Sequence, residues 1–67
     1  MELVVDAHRR VWVAESGLGL RMWDGKQWNY FGVEDGLPSD RVTCLALDGH
    51  RLWIGTEDQG LYRLRLP

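Results

Sequence analysis

The chain has 67 residues, of which 45% are apolar and 27% charged, and its formal net charge is −2. This length allows at most one small domain, and four Trp residues with a low net charge exclude intrinsic disorder. Without a basic run, an apolar run of membrane-spanning length or a signal-peptide pattern, we predict neither nucleic-acid binding nor membrane insertion.

Short apolar runs rich in β-branched and aromatic residues follow one another along the chain, and none is long enough for a typical helix. Asp-Gly pairs at Gly25 and Gly49 separate two pairs of these runs, which favours hairpins because Gly accepts a positive φ. We therefore predict seven antiparallel strands. In chain order they are Leu3–Val5, Val11–Ala14, Leu20–Trp23, Trp28–Phe31, Val42–Leu47, Leu52–Ile54 and Leu61–Leu64.

An internal repeat relates the first third of the chain to the last. The equivalent pairs are Leu3/Leu45, Asp6/Asp48, His8/His50, Arg10/Arg51, Trp12/Trp53, Gly19/Gly60 and Leu20/Leu61. Runs such as Val11–Ala14 are apolar at successive positions, which is typical of a sheet covered on both faces. A small antiparallel sheet covered on both faces and repeated after about 40 residues indicates a β-propeller blade.

These features predict an all-β fold of about two four-stranded β-propeller blades, the second of which lacks its outer strand. The first blade covers about 1–33, the second about 41–67, and a loop at 34–40 joins them. We expect the core between blades to contain Trp12, Trp53, Leu20, Leu61, Val42 and Leu45. We expect the turns to depend on Gly25, Gly36 and Gly49.

The second unit resembles the two-component regulator propeller repeat. The matching residues are Gly36-Leu37-Pro38-Ser39, Val42, Asp48-Gly49, Leu52-Trp53-Ile54-Gly55-Thr56 and Gly60-Leu61. The first unit matches in weaker form, with Ala14-Glu15 in place of the usual Gly-Thr. The resemblance implies a propeller of about seven blades, usually the extracytoplasmic, often periplasmic, sensory part of bacterial signalling proteins, many of which sense glycans.

A WD40 blade is the alternative. Trp23-Asp24 ends the third strand as a WD dipeptide would, and the repeat length fits. Leu64-Arg65 stands where the second unit would need the same dipeptide, which favours the first resemblance.

Two blades are too few to close a ring, since propellers typically have about four to eight. Two ways of completing the propeller ring remain open. In the first, three or four copies of the chain assemble head to tail into a closed homo-oligomeric ring of six or eight blades. In the second, the chain is the C-terminal piece of a larger propeller, whose N-terminus supplies the missing outer strand. We favour the homo-oligomer.

No residue pattern typical of catalysis is present, so we predict a non-catalytic module without a cofactor or metal. His8 and His50 lack the spacing of metal ligands, and Cys44 has no partner for an internal disulfide.

The loops before the fifth strand and after the sixth are acidic, and we expect a glycan or peptide ligand, if one is bound, to contact them. The predicted ligand-binding residues are Ser39, Asp40, Arg41, Glu57 and Asp58. The simpler interpretation is that these charged loops keep an oligomer soluble.

Overall fold

The computed structural model describes all 67 residues and contains seven strands and one short 3₁₀ helix. The strands are β1 (Glu2–Val5), β2 (Val11–Glu15), β3 (Gly19–Trp23), β4 (Trp28–Phe31), β5 (Val42–Asp48), β6 (Arg51–Thr56) and β7 (Leu61–Arg65), and the helix η1 covers Val33–Asp35. All seven predicted strands are present, with ends that differ by at most two residues. The predicted all-β fold is therefore confirmed.

The strands form two antiparallel sheets in which each strand pairs with the next along the chain. The first sheet has the order β1-β2-β3-β4 and the second has the order β5-β6-β7. Gly25 and Gly49 lie in the predicted hairpin turns with φ of 101° and 58°, and Gly36 ends η1 with φ of 98°. The second sheet lacks the fourth strand that completes the first, as predicted.

The two sheets pack face to face, and β5 lies against β1 and β2. Leu20, Leu52 and Ile54 are completely buried between them. The buried core consists of Trp12, Ala14, Leu20, Leu37, Val42, Leu45, Leu52, Ile54 and Leu66. Sealing this many apolar side chains between two sheets is the main source of stability in the chain.

The two sheets contribute opposite faces to this core. The first sheet contributes the face that carries Trp12. The second contributes Leu52 and Ile54, which flank Trp53 on β6, so Trp53 points to the other side of its sheet.

Within a single chain, four of the six predicted inter-blade core residues are buried, and burial of the other two between blades stays a prediction. The predicted core residues that are buried are Trp12, Leu20, Val42 and Leu45. Leu61, however, is 67% exposed, and Trp53 is only partly buried. Both differences have the same cause, because no third sheet covers their face of the second sheet within a single chain.

None of the helical segments has the length and apolar character needed to cross a membrane.

Candidate functional site

Ser39 and Asp58, two of the predicted ligand-binding residues, lie together and bind each other. The Ser39 hydroxyl donates a hydrogen bond to Asp58 Oδ1 at 2.5 Å and accepts one from the Arg41 backbone N–H at 3.0 Å. Ser39 is also buried, with 5% of its surface exposed. The serine therefore fixes the start of β5 through internal bonds.

Asp40 connects the second sheet to the loops of the first. Its backbone carbonyl accepts hydrogen bonds from the N–H groups of Gly17 and Gly19 at 3.1 and 3.0 Å. Its carboxylate accepts a bond from the Val33 N–H at 3.3 Å. Gly19 has φ of 72°, and a Cβ at this position would lie 2.8 Å from the Phe31 carbonyl oxygen, so the close approach requires glycine.

Arg41 and Glu57 are the predicted ligand-binding residues whose side chains are exposed and form no hydrogen bond or ion pair. Their backbones are joined, because the Glu57 N–H donates to the Arg41 carbonyl at 2.9 Å. The structure thus brings the five predicted residues together at one end of the second sheet. Their contact with a ligand stays a prediction.

An open cleft lies beside this loop, between the end of β4 and η1. Its volume is about 410 Å³, and its lining comprises Leu18, Tyr30, Phe31, Gly32, Val33, Glu34, Asp35 and Asp40. The Asp35 carboxylate accepts a hydrogen bond from the Gly32 backbone N–H at 3.0 Å, and the Asp40 carboxylate accepts one from the Val33 N–H at 3.3 Å. The cleft contains no nucleophile beside a base, and no group of three His, Cys, Asp or Glu side chains anywhere in the chain could hold a metal ion.

Asp6 accepts more hydrogen bonds than any other side chain of the chain, whereas the sequence indicated only that it is the repeat equivalent of Asp48. Only 7% of it is exposed, and it accepts four hydrogen bonds. The donors are the His8 N–H at 2.9 Å, the Arg10 N–H at 2.9 Å, Arg10 Nε at 2.6 Å and Trp12 Nε1 at 2.9 Å. This carboxylate therefore closes the β1–β2 turn and anchors the central Trp of the core.

Burial of Asp6 raises its pKa, but the hydrogen bonds from Trp12, Arg10 and His8 outweigh this effect and hold the pKa below the usual value for Asp. The repeat equivalent, Asp48, is exposed and makes no such bonds. The β5–β6 turn is shorter than the β1–β2 turn, and this accounts for the difference. Asp48 is the last residue of β5 and pairs directly with Arg51 across a tight hairpin.

The outer face of each sheet, on the side away from the core, carries exposed apolar residues. On the first sheet, Leu3 and Val5 are each 53% exposed, and Tyr30 is 63% exposed. On the second, Leu61 is 67% exposed beside Trp53, whose ring lies 5.6 Å from the Arg63 guanidinium carbon.

These two outer faces correspond, through the repeat, to the two faces that pack inside the chain. Leu3 on the first outer face is equivalent to the buried Leu45 of the second sheet. Trp53 and Leu61 on the second outer face are equivalent to Trp12 and Leu20 of the core. The outer faces therefore carry repeat equivalents of several residues from each half of the internal interface.

Stacked antiparallel meanders of four and three strands, repeated along the chain, define the class as β-propeller blades. Residues 36–58 match the model of the family described as Two component regulator propeller. The resemblance recognised in the second unit is thereby confirmed over this stretch. No curated protein and no solved structure matches the chain.

Proposed function

We propose that this chain is a non-catalytic β-propeller module that assembles with copies of itself into a closed ring of three or four chains. The observation that carries the proposal is the pair of outer faces described above. Each carries repeat equivalents of residues from one half of the interface that already packs within the chain, which supports complementary contact between the two faces of different copies.

The geometry favours head-to-tail contact. The face with Trp53 matches the face with Leu3, whereas two copies of the same face have no counterpart in the chain. An interface of this heterologous type closes into a ring when the rotation between copies fits. Assembly would also remove exposed apolar surface on both sheets, which stabilises the complex through the hydrophobic effect.

Substitution of one residue on each face tests the proposal. Leu61→Asp places a charge on the outer face of the second sheet, and Leu3→Asp places one on the outer face of the first. We expect light scattering on the unsubstituted chain to give three or four times the mass of 7.8 kDa, and each variant alone to remain a single chain.

The mixture of the two variants is the decisive measurement. Each variant keeps the face that the other has lost, so an equimolar mixture should form a dimer of one chain of each kind and grow no further. Leu18→Asp, at a loop position that is 58% exposed, is the control and should assemble like the unsubstituted chain. A well-folded unsubstituted chain with the mass of a monomer would overturn the proposal.

Binding of a glycan or peptide, with a role in a bacterial sensor, is the weaker proposal. The exposed side chains of Arg41 and Glu57 support it, but Ser39, Asp40 and Asp58 use polar atoms on internal hydrogen bonds. A ligand would therefore have few free groups to contact at this end of the sheet.

A further inference from the structure

The chain contains three Asp-Gly pairs, each at a turn or at the end of the short helix. They are Asp24-Gly25, Asp35-Gly36 and Asp48-Gly49. In such a pair the glycine amide nitrogen can attack the side-chain carboxyl carbon of the preceding Asp, because glycine has no Cβ to hinder the approach. The attack needs a carboxyl group that is free to rotate and a glycine N–H without a hydrogen bond. The hydrogen bonds of the three pairs therefore rank their reactivity.

The carboxylate of Asp24 is held in place by three hydrogen bonds. Its Oδ1 accepts bonds from the Lys26 and Gln27 N–H groups at 2.8 and 2.9 Å, and its Oδ2 accepts one from Asn29 Nδ2 at 3.3 Å. The bonds from Gln27 and Lys26 also hold the pKa of Asp24 below its usual value, so the protonated form, which can lose water, is rarer. Asp24 is thereby protected from attack by Gly25.

The pair at Asp35 is protected at both reacting groups. The Asp35 carboxylate accepts a hydrogen bond from the Gly32 N–H at 3.0 Å. The Gly36 N–H, whose nitrogen would be the nucleophile, donates to the Val33 carbonyl at 3.1 Å. Attack at Asp35 therefore requires η1 to open.

The pair at Asp48 has neither form of protection. The Asp48 carboxylate is exposed, accepts no hydrogen bond and forms no ion pair. The Gly49 N–H donates to no acceptor, and a Cβ on this glycine would meet nothing within 4 Å, so the space around it is open. Asp48 is the last residue of β5, so only the terminal pairing with Arg51 has to open before the two groups can meet.

We propose that Asp48-Gly49 is the site at which the folded chain undergoes spontaneous aspartate isomerisation. The Gly49 nitrogen forms a bond to Asp48 Cγ, and the carboxyl OH leaves as water together with the amide proton. Water then adds to the main-chain carbonyl carbon of Asp48 in the resulting succinimide, and the bond between that carbon and the Gly49 nitrogen breaks. The product is isoaspartate, in which the chain runs through Cβ and Cγ and the main-chain carboxyl group is free. The water lost in the first step is regained in the second, so no other reactant is consumed.

The modification alters the β5–β6 hairpin and creates a group that a partner can recognise. The backbone becomes longer by one carbon atom directly before a two-residue turn, whose length sets the register of the strands. The pairing of Asp48 with Arg51 is therefore lost. The free carboxyl group is the one that carboxyl methyltransferases acting on isoaspartate recognise, so the partner that fits this site is an enzyme of that class. The turn belongs to neither outer face, which makes the site independent of ring assembly.

Ageing of the folded chain at neutral pH tests the proposal. Mass spectrometry of proteolytic peptides with electron-transfer fragmentation locates isoaspartate, and methyl transfer from S-adenosylmethionine by an isoaspartate methyltransferase measures its total amount. We expect isoaspartate to form at Asp48 about fivefold faster or more than at Asp24 or Asp35, the factor that breaking one ordinary hydrogen bond imposes.

Ageing in urea supplies the matched control. The three pairs have the same covalent structure, and unfolding removes their different hydrogen bonds, so the three sites should then react at similar rates. In the folded chain, Asp48→Glu keeps the charge but would require a larger ring, and it should remove most of the methyl-accepting signal. Asp24→Glu, the same change at a protected pair, should leave that signal unchanged.

Equal rates at the three sites of the folded chain would overturn the proposal. A preference for Asp48 that persists in urea would overturn it as well, because the selectivity would then come from the neighbouring residues in the sequence and not from the free groups of the hairpin.

Discussion

Replacement of Asp6 by Ala is the sharpest test of how the first sheet is held together. The substitution leaves the indole N–H of Trp12 without an acceptor, in a residue that is only 2% exposed. An unsatisfied buried donor of this kind costs about 1–3 kcal/mol. Loss of the Arg10 contact adds about 1 kcal/mol, because that side chain is partly exposed and regains water.

The free energy of unfolding should therefore fall by about 2–4 kcal/mol, which is most of the roughly 3–5 kcal/mol that a core of this size supplies. For a domain this small, the melting temperature should fall by roughly 10–30 °C. Circular dichroism melts at matched protein concentration measure the shift. Asp48→Ala is the control, since the repeat-equivalent residue is exposed and lacks these bonds, and its melting temperature should change little. Equal shifts for the two variants would refute the role assigned to Asp6.

The same carboxylate predicts a dependence on pH. The pKa of Asp6 in the folded chain lies below its value of about 3.9 in the unfolded chain. The ionised carboxylate therefore stabilises the folded chain fully above about pH 4, and this stabilisation is lost as the pH falls through the folded pKa. The difference in unfolding free energy between the unsubstituted chain and Asp6→Asn should therefore narrow below about pH 4, and a constant difference would contradict this. Gly19→Ala should destabilise the chain by about 2–3 kcal/mol, because the new Cβ would meet the Phe31 carbonyl oxygen. Gly17→Ala is the control and should cost about 1 kcal/mol, because its Cβ would meet nothing within 4 Å. Denaturant unfolding of both variants measures the two free energies.

The strands and their order could be predicted from the sequence because the signals are local. Asp24-Gly25 and Asp48-Gly49 mark hairpins by the conformational freedom of glycine, and the apolar runs between such turns are too short for helices. The internal repeat then assigned both units to one kind of sheet. The absence of a fourth strand in the second sheet also follows from counting these runs.

Burial could not be predicted in the same way, because it depends on what covers each face. Trp12 and Trp53 are equivalent in sequence, yet the first is buried in the core and the second lies on an uncovered face. The role of Asp6 was equally invisible, since its equivalent Asp48 differs only through one residue of turn length. For Ser39 and Asp40, residue type suggested binding, whereas the structure shows internal hydrogen bonds at both.

The hydrogen bonds of Asp40 have a consequence for how the chain unfolds. Tandem repeats that touch only through apolar contacts can lose structure one unit at a time. Here Asp40, just before β5, accepts hydrogen bonds from Gly17 and Gly19 at the β2–β3 turn and from Val33 of η1. The second sheet therefore cannot detach from the first without breaking these bonds. The two units should accordingly melt as one cooperative block, with amide exchange in β3 and β5 governed by the same opening event.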